Sequence, residues 1–268
     1  MTKKFLQSFI LTLSLLLLIP TNGHAQTDNP FAGEVEHAQL IQKKPEELFQ
    51  SIRAANESVQ SINQIINTTI VSQTEKNQFL SQQISTMELL FDSNQKIRGG
   101  YLYNEFAQED ASSYSEKYLP LNEKAIWSRS SEVEEWEKTT SDSENKPVYY
   151  AKPNYHSLIE KLTSNAENFK IYEDNTSYIM INDNHSADLF KMLQKEFQIT
   201  LSGVQAQDFT TNLMITFDKE KLHLQDLVVI SRYQTENNYL EMNIITEFSD
   251  WDQLREEDYE IDTQEDLN

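Results

Sequence analysis

Apolar positions recur at two different periods along this chain, and the changes of period lay out its elements. Leu48, Ile52, Ala55 and Val59 stand at helical spacing behind Pro45, which predicts a helix over 45–59. A run rich in β-branched residues over 65–71 then reads as a strand. Residues 84–104 read as a hairpin, with apolar extended arms over 84–91 and 97–103 around the turn residues Asp92, Ser93, Asn94 and Gln95. Residues 105–122 are polar and loop-like, and 125–129 and 133–138 look like two short strands.

Behind Pro153, the residues Leu158, Ile159, Leu162 and Ala166 line one side of a second helix. A hairpin over 169–182 turns at 174–177, and a third helix starts near Ser186 as N-cap, carrying Leu189, Phe190, Leu193 and Phe197. The last third is a three-strand meander with period-2 alternation. Leu213, Ile215 and Phe217 alternate on its first strand, and Leu222, Leu224, Val228 and Ile230 are placed on one face of the second. Leu240, Met242, Ile244 and Phe248 alternate with polar neighbours on the third. The expected layout is one α+β domain over 43–252, with a mobile leader over 26–42 and a solvated acidic tail over 253–268.

The first 25 residues change the picture from fold to location. Lys3 and Lys4 precede an apolar run over 9–19, Pro20 breaks it, and Gly23 and Ala25 are small residues before Gln26. This is the layout of a signal peptide cleaved between Ala25 and Gln26. The apolar run is little more than half the roughly 20 residues a membrane helix needs, so no stable membrane anchor is expected. The chain has no cysteine, which excludes disulfides, thiol catalysis and a lipidated cysteine. A formal charge of −21 repels phosphate backbones, so nucleic acid is not an expected partner. The expected product is a secreted, extracellular, acidic protein.

The order of elements, with Tyr114 to Tyr118, Trp127 and the Glu135-Trp136-Glu137-Lys138 segment ahead of a helix and the hairpin ending Tyr178 to Ile181, resembles the LolA/LppX-like superfamily. It is similar to the secreted Gram-positive lipoproteins of unknown function built on that fold, and the resemblance covers roughly 45–252. It implies a strongly curved antiparallel β half-barrel with helices packed on its concave side. It also implies a lipid or other apolar ligand held between sheet and helices. Most such relatives carry the lipobox cysteine that this chain lacks. Residues expected to line the ligand are Leu158, Leu162, Leu189, Leu193, Met242 and Ile244. The alternative is a non-enzymatic extracellular adaptor with a filled core, whose surface binds a protein or wall polymer.

No catalytic, cofactor or metal site is expected. The five histidines share no ligand spacing and read as solvated surface residues. Ser143 and Lys146 have serine-hydrolase spacing but no partner motif. Asp92 and Asn94 begin like a calcium loop, but Ile97 and Tyr103 stand where the glycine and the bidentate Glu belong. Acidic pairs such as Glu134/Glu135 and Glu256/Glu257 read as a solvated face. The tyrosines concentrated between Tyr101 and Tyr155, with Trp127 and Trp136, suggest either a stacking platform for wall carbohydrate or, by β propensity, the cover of a half-buried sheet.

Overall fold

The computed structural model describes residues 30–109, 111–140, 151–182, 187–200 and 203–261. The cleavage site at Ala25 and Gln26, the Ser186 cap and the Ser143/Lys146 pair lie outside these residues. Among the described residues are twelve strands and three α-helices. In chain order they are β1 (Gln39–Leu40), α1 (Pro45–Asn56), β2 (Ser61–Thr74), β3 (Gln78–Phe91), β4 (Ile97–Gln108), β5 (Ala111–Leu119), β6 (Ala125–Arg129) and β7 (Glu137–Thr140). They continue with α2 (Tyr155–Thr163), β8 (Lys170–Glu173), β9 (Ser177–Asn182), α3 (Ala187–Glu196), β10 (Thr210–Asp218), β11 (Leu224–Gln234) and β12 (Asn238–Ser249).

All the strands belong to one sheet, in the order β1-β8-β9-β10-β11-β12-β2-β3-β4-β5-β6-β7, and every pairing is antiparallel. The sheet curves without closing, as in a half-barrel, because β1 and β7 stand at its two edges. Three sequential groups of strands are joined side by side. The closing meander strand β12 lies against β2, the first long strand, with Met242 opposite Ile70 and Ile244 opposite Thr68.

Several expectations change. Residues 105–122 are not a loop: β4 runs through Gln108 and β5 occupies most of the rest. These strands carry polar or aromatic residues on both faces, so no apolar period marks them. The strand expected over 133–138 is β7, displaced toward the C-terminus, and Val133 is 95% exposed in the turn before it. On β11, Leu227 and Val229 face the helices, while Val228 and Ile230 face the other way. A register irregularity at Thr216/Phe217 shifts the alternation after Leu224.

The expected leader is placed from Pro30 onward. Phe31 is buried against Ile179 and Ile181 on the face opposite the helices, and β1 extends the sheet by pairing with β8. The expected acidic tail is likewise not wholly solvated. The Leu254 N–H donates to the Ser61 hydroxyl at 3.2 Å, and Tyr118 donates to the Asp258 carbonyl at 2.7 Å. Tyr259 and Ile261 are buried. The Asp92 turn is a hairpin turn, since its Oδ1 accepts the N–H groups of Asn94 and Lys96.

Candidate functional site

Residues directly opposite one another in an antiparallel ladder share a face, so the register assigns every side chain to one side of the sheet. One side carries Ile62 and Ile66 of β2, Ile244 and Phe248 of β12, Val229 of β11 and Ile215 of β10, all buried in the main core. The helices sit on this side. Phe49 of α1 meets the Phe217 ring edge-on at 6.1 Å, and Tyr155 of α2 meets Phe248 at 5.6 Å. His156 lies edge-on to Phe91 at 4.7 Å, and Phe190 of α3 stacks on Phe209 at 4.5 Å.

Polar groups fix the helices to the sheet and to each other. The Asn56 side chain donates to the Ile52 and Leu222 carbonyls and accepts from the Tyr155 hydroxyl. The Trp251 indole N–H donates to the same hydroxyl at 3.2 Å. Glu196, 1% exposed at the end of α3, pairs with Lys161 of α2. His156 is not the solvated residue its composition suggested. It is buried, its Nε2 donates to the Val59 carbonyl at 3.1 Å, and burial holds its pKa below the ordinary imidazole value against that bond.

The structure brings all six expected lining residues into one core. Leu158, Leu162, Leu189, Leu193, Met242 and Ile244 are each 2% exposed or less, covered by protein alone. Other residues are left half-buried against that core, among them Ile70, Tyr233, Leu240, Phe197, Ile199 and Val204. On the sheet, Leu240 lies opposite Ser72 and Tyr233, two residues from Met242, toward the β11–β12 and β2–β3 turns. Phe91, Phe217 and Phe248, under α1 and α2, mark the opposite end of the strands. Alternation told which face these residues occupy, but not how far along it the helices reach.

The aromatic cluster lies on the other side of the sheet. Glu116, 6% exposed, accepts hydrogen bonds from the Tyr101 hydroxyl at 2.7 Å, from Tyr114 and from Arg129. Burial opposes its ionisation, yet those three donors outweigh it and hold the carboxyl below the usual range. Tyr103, edge-on to Tyr114 at 5.4 Å, has its hydroxyl pushed up to about 12 by burial and by its bond to Glu105. The Arg129 guanidinium lies 4.8 Å from the Trp136 ring, and Trp127, Trp136 and Ile261 form a small second core. Both tryptophans are buried, so the stacking platform is not built from them; they cover a half-buried sheet. Glu134, Glu135, Glu256 and Glu257 are exposed. Among the described residues, no group of three His, Asp or Glu is placed to hold a metal ion, and no helix is long and apolar enough to cross a membrane.

Neither a family model nor a curated protein matches the chain. Among solved structures it is similar to LprF from Mycobacterium bovis, at 9% identity over 77% of this chain and 92% of that one, with a TM-score of 0.37. A LolA superfamily protein from Nitrosomonas europaea is 7% identical over 80% of this chain and 97% of its own, with a TM-score of 0.19. A DUF1329 family protein from Desulfovibrio piger is 8% identical over 81% and 95%, with a TM-score of 0.21.

Proposed function

We propose that this protein is exported and binds a lipid or another apolar ligand on the helix-bearing side of its sheet, which we take to be the concave one. The observation that supports this reading is the half-buried apolar border where the helices end. Ile70, Tyr233 and Leu240 on the sheet, and Phe197, Ile199 and Val204 after α3, are half-buried and packed against the main core. An acyl chain laid along that border would cover them and gain about 0.8 kcal/mol per buried methylene. The six residues expected to line a cavity would then form its floor, reached only if α2 or α3 shifts.

Native mass spectrometry of the secreted protein, paired with organic extraction, tests the reading. A bound mass that extracts into organic solvent, and micromolar binding of a fluorescent fatty acid by the stripped protein, are the expected results. An apoprotein mass with no uptake of the probe overturns it. A second reading, an extracellular adaptor binding a protein or a wall polymer, draws support from one specific observation. The core around Leu158, Leu193 and Ile244 is sealed without any ligand. Export itself rests on the N-terminal pattern of charge, apolar run and small residues. The secreted protein is expected to begin at Gln26, and N-terminal sequencing checks it; material still starting at Met1 would count against export.

A further inference from the structure

Two histidines lie where α1 and α2 are fastened to the ends of the strands. The fastening is a closed circuit of side chains. Asn56, the last residue of α1, donates to the Leu222 carbonyl at 2.8 Å and accepts from the Tyr155 hydroxyl of α2. The Trp251 indole N–H donates to that same hydroxyl, and the ring of His223, which follows Leu222, lies 5.0 Å from the Trp251 ring. His156 follows Tyr155 on α2 and is 7% exposed, with the Phe91 ring at 4.7 Å and the Val59 carbonyl at 3.1 Å from its Nε2. The His223 Nδ1 is buried and has no hydrogen-bond partner among the described residues. In an imidazolium both ring nitrogens carry protons. A protonated His223 would therefore bury an N–H without an acceptor, and a protonated His156 would bury a charge beside the Phe91 ring.

Burial holds both pKa values below the ordinary imidazole value. The bond to Val59 and the charge of Asp252 pull His156 the other way without offsetting it. Asp252 and Asp218 pull His223 the other way, while Lys221 adds to the lowering. The Asp252 carboxylate is already engaged by the N–H groups of Gln60 and Ser61.

We propose that His156 and His223 form an acid-sensitive fastening that releases α2 from the sheet as the pH falls, uncovering Phe91 and Phe248 beneath it. Once released, both rings recover an ordinary pKa near about 6.5, so the released form binds more protons than the docked one. Docking is then at full strength above about pH 7.5 and weakens as the pH falls through about 6.5. It stops weakening where the docked rings are themselves protonated. The strands stay paired, because backbone ladders hold them and neither ring takes part. Asp226 works in the opposite sense. Burial and Glu247, opposite it across the ladder, push its carboxyl up to about 6, so acid favours the folded state there. That pair lies on the other face of the sheet, and a global melt would mix the two effects.

Hydrogen–deuterium exchange of the α2 amides at about pH 7.5 and about pH 5, corrected for the intrinsic effect of pH on exchange, separates them. In the wild type, α2 is expected to lose about tenfold or more of its protection at the lower pH, while β12 and β2 keep theirs. In a His156→Gln, His223→Gln double variant, which titrates at neither position, the loss should shrink to within about twofold. An unchanged α2 in the wild type overturns the release, as does a loss that survives the double substitution or one shared equally by α2 and β12. Should the double variant fail to fold, NMR titration of the two imidazoles in the wild type decides. Both are expected below about 6.5, and a value at or above it for either ring overturns the release.

Discussion

Replacing Ile244 by Asp is expected to prevent the protein from accumulating in a folded state. Ile244 is fully buried at the middle of β12, between Val229 of β11 and Thr68 of β2, on the face the helices cover. A carboxylate there meets the uncharged Val229 and Thr68 across the ladder, and burying it unpaired costs several kcal/mol. That loss is comparable to the whole stability of an ordinary domain, about 5–15 kcal/mol. Ile244→Val, which removes one methyl, should cost only about 0.5–1.5 kcal/mol and serves as the control. Yield of soluble protein and a denaturant melt measure both. If Ile244→Asp melts like the wild type, the facing of β12 is off by one residue.

Gly100→Ala is expected to be nearly as damaging, although it adds only a methyl group. Gly100 lies on β4 between Leu89 of β3 and Leu119 of β5, with φ at +148°. A Cβ built there would stand 2.1 Å from the Glu88 carbonyl oxygen and 3.3 Å from the Leu89 Cα. Both are backbone atoms of a central strand, so relief requires β3 and β4 to separate. A positive φ adds strain of its own for any residue with a Cβ. A loss of about 3 kcal/mol or more follows. Gly33→Ala, where a Cβ would meet nothing within 4 Å, should be close to neutral in the same melt. Equal melting temperatures for the two variants would contradict the close approach of β3 to β4.

Legibility followed the contrast between faces. Strands β10 and β12 of the meander were readable because they are apolar on one side and mostly polar on the other, and Met242 and Ile244 fell on the face expected of them, whereas β11, apolar on both sides with Val228 and Ile230 turned away from the helices, was not. The helices were readable for the same reason, through Leu158 and Leu162 on α2 and Leu189 and Leu193 on α3. Strand β5 was not. Its residues Glu116 and Tyr118 are satisfied by partners on neighbouring strands and the C-terminal segment, namely Arg129, Tyr101 and Asp258. A strand held by cross-strand polar pairs shows no apolar period.

By itself, the sequence determined which segments bury a face, where a charged, apolar and small-residue pattern opens the chain, and that cysteine chemistry is excluded. Those are local properties, carried by the spacing and type of residues within about twenty positions. Only the tertiary structure decided that β12 pairs with β2, and that Phe31 and Ile261 are buried on the side opposite the helices. Each of these joins positions far apart in the chain, and their energy depends on which neighbour arrives across the ladder. Period-2 spacing states that a side chain is covered; the register states what covers it, and whether a buried oxygen finds a proton there.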